Sequence, residues 1–147
     1  MKRFSRMALI LCVFCGFVLV AARPALGGSS FTDSRDGKTY RTVVIGEKTW
    51  MAENLNFQTG NSWCYDNNNA HCNTYGRLYD WNTARNACPA GWRLSTRQDW
   101  TDLVNAVGGR SNAGTALKSS PSDSPSWNGA NTHGFFGFAR RLPLGRW

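Results

Sequence analysis

The sequence predicts a compact α+β domain, and three observations carry that prediction. Lys38 to Ile45 (KTYRTVVI) is dense in β-branched and aromatic residues, turns at Gly46-Glu47-Lys48 and continues into a second extended run, Thr49 to Ala52. That is the signature of a β-hairpin. Later in the chain, Trp100, Leu103, Val104 and Val107 recur at i, i+3, i+4 and i+7, the spacing of a buried helical stripe. Between and around these two units lie short runs separated by Gly-, Asn- and Ser-rich loops, with no internal repeat. A chain of 147 residues allows one domain of this kind.

The first residues read as a secretory leader. Lys2, Arg3 and Arg6 precede an uncharged apolar run, Ala8 to Val20, and Ala25-Leu26-Gly27 offers small residues where a signal peptidase reads. The run is shorter than the roughly 20 residues of a spanning helix, so contact with the membrane is expected only through this segment. Residues 1–27 are therefore expected to be removed, leaving 28–147 as the domain and a secreted or cell-surface location. Cys12 and Cys15 fall inside the leader and read as apolar filler, not as a redox pair.

Charge excludes one class of partner. The chain has 17 Lys and Arg against 9 Asp and Glu; without Lys2, Arg3, Arg6 and Arg23 the balance is 13 to 9. The remaining cations are scattered, with no run longer than Arg140-Arg141. Nucleic-acid binding needs a concentrated basic patch, so none is expected.

Three cysteines follow the leader. Cys64 and Cys72 flank a polar loop, Tyr65 to His71, and are expected to bridge it, with Cys88 left alone. Gln58 to Ser62 and Asn67 to Asn73 read as loops. Leu78 to Ala87 reads as a helix with Leu78, Trp81, Ala84 and Arg85 on one side, stopped by Cys88-Pro89. Trp92 to Leu94 is a short extended link. Ser95 or Thr96 then caps the clearest helix, with Gln98 or Asp99 as capping-box partner and Gly108-Gly109 as its end. Ala113 to Lys118 makes one or two helical turns, Ser119 to Ser126 is polar and turn-forming, and Gly134 to Phe138 is a short aromatic strand candidate.

Several blocks recur together in one known family. They are Asp36-Gly37-Lys38-Thr39-Tyr40, Ile45 to Asn56 (IGEKTWMAENLN), Cys64-Tyr65, Tyr75 to Trp81 (YGRLYDW) and Cys88 to Leu94 (CPAGWRL). In this order they resemble the Fibrobacter succinogenes major paralogous domain, a family of secreted or surface bacterial modules, over about Phe31 to Phe135. The resemblance implies a C-type-lectin-like mixed domain with two helices and short, irregular antiparallel strands, a fold shared with the formylglycine-generating sulfatase modifiers. The family usually continues with a Gly-Phe-Ser-Ala-Leu-Pro-x-Gly-like block and further strands. Here Gly134-Phe135 starts that block, and Phe136 to Trp147 (FGFARRLPLGRW) departs from it. The domain is thus expected to be C-terminally short, with a sheet edge left unpaired.

The residues point away from catalysis. Cys88 has no histidine tied to it in sequence; the two histidines, His71 and His133, lie in the Asn-rich loop and near the C-terminus. The sulfatase modifiers use a cysteine pair late in their fold, and no cysteine follows Cys88. Two separated histidines give no zinc site. A calcium site would draw on Asp66, Asn67 and Asn69, but the acidic motif of calcium-dependent lectins is lacking: Trp127-Asn128-Gly129 has no carboxylate. No metal or cofactor is expected. Glu53 reads as a structural carboxylate paired with Arg77.

Aromatic residues are the remaining signal. Trp50, Trp81, Trp92 and Trp100 sit in patterned elements and are expected in the core. Trp63, Tyr65, Tyr75 and Trp127 lie in or beside loops rich in Asn and Asp. Ring faces stack on sugar C–H groups while amides bond hydroxyls, so these four are the candidate ligand-binding residues. The expected function is a non-catalytic binding module for carbohydrate or a surface protein. A structural or adhesive module is the alternative, ahead of a sulfatase-modifier-like enzyme.

Overall fold

The computed structural model describes residues 29–123 and 126–135, together with the backbone of residues 12–14. The rest of the expected leader and the tail 136–147 lie outside the described residues, as do three residues of the Gly134 to Phe138 strand candidate. The fold is α+β. Strands β1 (Cys12–Phe14), β2 (Ser29–Thr32), β3 (Thr39–Ile45), β4 (Lys48–Met51) and β7 (Trp92–Leu94) form one sheet in the order β2-β3-β4-β1-β7, every neighbour antiparallel. Strands β5 (Ser62–Trp63) and β6 (Leu78–Tyr79) form a second, two-stranded sheet. Helices α1 (Asn69–Tyr75), α2 (Trp81–Ala84), α3 (Arg97–Ala106) and α4 (Arg110–Leu117) complete it, with a 3-10 turn at Tyr65–Asn67.

The hairpin forms where its pattern places it. β3 and β4 pair from Thr42↔Met51 to Ile45↔Lys48 around a turn at Gly46, whose φ of 63° is open to glycine at little cost. The expected buried face of Tyr40, Thr42 and Val44 holds only in part. Tyr40 and Thr42 are buried, Val44 is 60% exposed, and Ile45, on the opposite face, is buried instead. The sheet is covered on both sides, but by layers that lie over different ends of β3. One layer joins Tyr40 and Met51 to Leu55, Tyr79, Ala84 and Ala87. The other joins Ile45 and Trp50 to Leu103, Val107, Ala113 and Phe135, and Trp100 packs against it.

Helix α3 is the element in which sequence and structure agree most closely. Thr96 accepts from the Asp99 amide at 3.2 Å, and the Asp99 side chain accepts from the Thr96 amide at 2.7 Å, a complete capping box. Asp99 does more than cap. Arg93 of β7 reaches it through two nitrogens at 2.5 and 2.9 Å, and Lys48 of β4 sits 3.0 Å away while also pairing with Asp102. One carboxylate thereby ties α3 to two strands.

Four expectations are corrected. The four helices exceed the two expected: Asn67 to Asn73, read as loop, contributes most of α1, because the Asn68 side chain caps it at Ala70 and a disulfide pins it. Leu78 to Ala87 is not one helix. Leu78 and Tyr79 are drawn into β6, Asp80 caps at Thr83, and only Trp81–Ala84 is helical. With the helix shortened, Trp81 turns outward and is 55% exposed, not core. Cys88, expected alone, is disulfide-bonded. No described helix is long and apolar enough to cross a membrane.

Candidate functional site

The site grows from the disulfide loop. Cys64 and Cys72 are bridged as the sequence predicts, with Cα atoms 4.9 Å apart and both residues buried. The short loop they close passes through two left-handed residues, Asp66 (φ 55°) and Asn67 (φ 51°), side chains that tolerate this region better than most. The loop folds over α1, where His71 Nδ1 lies 2.9 Å from the Tyr65 carbonyl. The His71 ring stands between two tyrosines, with ring centroids 5.5 Å from Tyr65 and 5.8 Å from Tyr75. Two of the four predicted ligand residues are thus brought together around one imidazole.

The loop after β4 is fastened to the end of α1. Asn54 Nδ2 donates to the Tyr75 carbonyl at 2.9 Å, and the Arg77 amide donates to the Leu55 carbonyl at 2.9 Å. Two buried tyrosines hold the same loop from below. The Asn56 amide donates to Tyr40 Oη at 3.1 Å, and Tyr79 Oη donates to the Phe57 carbonyl at 2.7 Å. Burial pushes the Tyr40 phenol up to about 12 and raises that of Tyr79 as well, so both stay protonated at neutral pH.

Between that loop, β3 and α1 lies an open groove of about 620 Å³. Its walls are polar: Asn54 and Asn56 on one side, Asn73 and Thr74 on the other, Lys38 and the Arg41–Glu53 ion pair along β3. Arg41 Nε approaches Glu53 Oε1 to 2.6 Å, and Lys38 Nζ donates to the Asn56 carbonyl at 2.6 Å. Such a lining offers amide and hydroxyl groups that donate and accept at once, flanked by one satisfied ion pair. The groove depends on Gly76. Its φ is 73°, and a Cβ there would stand 2.7 Å from Asn54 Cβ and 2.9 Å from the Leu55 carbonyl oxygen. Gly76→Ala is expected to cost about 2 kcal/mol and to loosen the wall. A melting temperature equal to that of the wild type would refute the close approach.

The predicted residues are otherwise dispersed. Trp63 is 42% exposed on β5, beside Cys64. Trp127 is 39% exposed, with Lys118 Nζ 4.8 Å above its ring, just beyond the end of α4. None of the four lines the groove: Tyr75 lies between its lining residues Thr74 and Gly76, with its ring 5.8 Å from that of His71. Glu53 and Arg77 do not pair as expected: Glu53 goes to Arg41, while Arg77 donates to Gln58 and Ser62. No three His, Cys, Asp or Glu residues among the described residues are close enough to hold a metal, and Asp66 and Asn67 serve the loop turn. The asparagines of the groove were missed by sequence reasoning. Asn54 and Asn56 stood in view in the block IGEKTWMAENLN, but nothing local says that Asn73 faces them.

No curated protein and no solved structure matches the chain. The family model of the Fibrobacter succinogenes major domain matches residues 43–147, more than half of the chain. The match takes in β4, the groove loop and all four helices, and it continues through the tail that departs from the expected block. With its hairpin, disulfide loop and capped helix joined in one α+β domain, the chain belongs to the Fibrobacter succinogenes major domain family.

Proposed function

We propose that this domain is a non-catalytic binding module, secreted or displayed at the cell surface, whose ligand is a hydroxyl-rich glycan held in the Asn54–Asn73 groove. The observation that carries this reading is the lining. Three asparagines, two threonines and a lysine converge on one open groove. Amides can give and take hydrogen bonds with paired sugar hydroxyls. The Cys64–Cys72 bridge supports an oxidising compartment. A binding role is favoured over a catalytic one by the state of the reactive groups. Glu53 is engaged by Arg41, and Cys64 and Cys72 are joined in a disulfide.

A second reading, an adhesive module with a protein ligand, is favoured by the exposed Trp63 and Trp81, on and just beyond the small β5–β6 sheet. A glycan array probed with the intact chain separates the two. Binding to one class of glycan, weakened about tenfold by Asn73→Ala and unaffected by Trp81→Ala, supports the groove. An array with no ligand, or binding that ignores Asn73, sinks it.

A further inference from the structure

Helix α1 supplies one wall of the groove, yet by itself it has little to keep it folded. Its seven residues, Asn69–Tyr75, are fewer than the roughly 12 at which an isolated helix becomes even marginal in water. None of them belongs to either buried core cluster. Its principal neighbour among the elements is the 3-10 turn Tyr65–Asn67, part of the same loop. Hydrogen bonds fasten its ends: the Asn68 side chain accepts from the Ala70 amide at 3.0 Å, and Asn54 Nδ2 donates to the Tyr75 carbonyl at 2.9 Å. The first is exposed and the second half-buried, so water competes for both. The middle of the helix is fastened at Cys72 by the bridge to Cys64. Cys72, Asn73 and Thr74 are consecutive, and all three line the groove. The cross-link and the side chains that make the wall are therefore neighbours in the chain.

We propose that the Cys64–Cys72 disulfide is a redox gate on the groove: the wall at Asn73 and Thr74 is ordered only in the oxidised chain, so ligand binding is enabled in an oxidising compartment and withheld in a reducing one. The inference rests on the glycan reading of the groove. Closing the bridge joins the two sulfurs and takes one proton and one electron from each thiol. Both protons and both electrons pass to an oxidant of the disulfide class, which leaves as a dithiol. Without the bridge, Asp66 and Asn67 are freed from the left-handed region, where φ is 55° and 51°, and α1 loses its hold on Cys64. The rest of the domain does not depend on it. One core layer closes around Tyr40, Leu55 and Tyr79 and the other around Trp50 and Leu103, with no residue of α1 in either. Cys64 and Cys72 are both buried in the folded domain, so a thiol in solution has poor access to the finished bridge. The gate is thus set once, when the exported chain folds.

The test is hydrogen exchange in α1 and α3, measured on the full chain and on the double variant Cys64→Ser, Cys72→Ser, beside a glycan array of both proteins. The wild type should protect both helices. In the variant, α1 amides should exchange within about tenfold of an unstructured peptide, while α3 amides stay at least about a hundredfold slower than that. A glycan bound by the wild type should bind the variant about a hundredfold more weakly, because the competent wall becomes a minor state. Protection of α1 that survives the two substitutions would overturn the proposal, as would an α1 already unprotected in the wild type. So would loss of protection in α3 as well, which would make the bridge a prop of the whole domain, or glycan binding that ignores the two substitutions. An array on which the wild type finds no ligand sinks the glycan reading, and exchange in α1 still decides whether the bridge makes the wall.

Discussion

Asp99→Ala is expected to cost about 3–5 kcal/mol of stability at neutral pH, measured by chemical denaturation. The Asp99 residue is 2% exposed and is shared by Arg93, Lys48 and the Thr96 amide. Alanine would take the buried carboxylate from the Arg93 guanidinium, leave Lys48 with Asp102 alone, and strip α3 of its capping box. The Arg93 guanidinium, with help from Thr96 and Lys48, holds the Asp99 carboxyl well below the usual carboxylate range. The sign of the pH dependence follows. The group is ionised in both folded and unfolded chains above about pH 4, where its contribution is fully present. As pH falls below that, the unfolded chain takes up the proton first and stability declines. Asp33, whose carboxyl Arg35 also holds down, adds to the slope in the same direction. Asp99→Asn should therefore lower stability at pH 7 and flatten, without abolishing, the decline between pH 4 and pH 2. An Asp99→Asn variant with the wild-type acid slope would show that the carboxylate does not serve as the anchor.

Trp50→Ala should cost a comparable amount, about 3–5 kcal/mol. Trp50 is fully buried, and its ring meets Trp100 at 5.5 Å and Phe135 at 5.7 Å. It joins β4 to α3 and to the last described residues of the chain. Its indole Nε1 has no hydrogen-bond partner among the described residues. Trp50→Phe removes that desolvated donor along with one ring, so it should cost clearly less than alanine. Thermal melts and near-ultraviolet circular dichroism of the two variants check this. Equal losses in both would mean that the retained phenyl ring restores no packing and that removing the buried donor brings no relief.

Local chemistry made part of the fold legible. The β-branched run and Gly46 specify a hairpin without help from distant residues. Thr96 and Asp99 are three positions apart and satisfy each other, so α3 could be placed from the sequence. Cys64 and Cys72 close a loop short enough to bridge wherever it sits. The misreadings share one cause. Asn67 to Asn73 looks like loop by propensity, but Asn68 supplies a cap and the disulfide holds the turn in place, and a weak propensity yields to both. Leu78 fits a helical stripe, yet Tyr79 beside it is buried with its hydroxyl on the Leu55 and Phe57 carbonyls. That arrangement takes the pair into β6 and turns Trp81 toward solvent.

The sequence by itself determined the α+β class, the family, the Cys64–Cys72 bridge and the capped helix, because each rests on groups close in the chain or on an ordered set of blocks. Only the tertiary structure decided the groove and the sheet order. Asn54 meets Tyr75 across 21 residues, and Lys48 meets Asp99 across 51. Cys12–Phe14 finds Trp50 and Trp92–Leu94 from the far end of the chain. Contacts of that range depend on which layers pack together, and no local propensity encodes them.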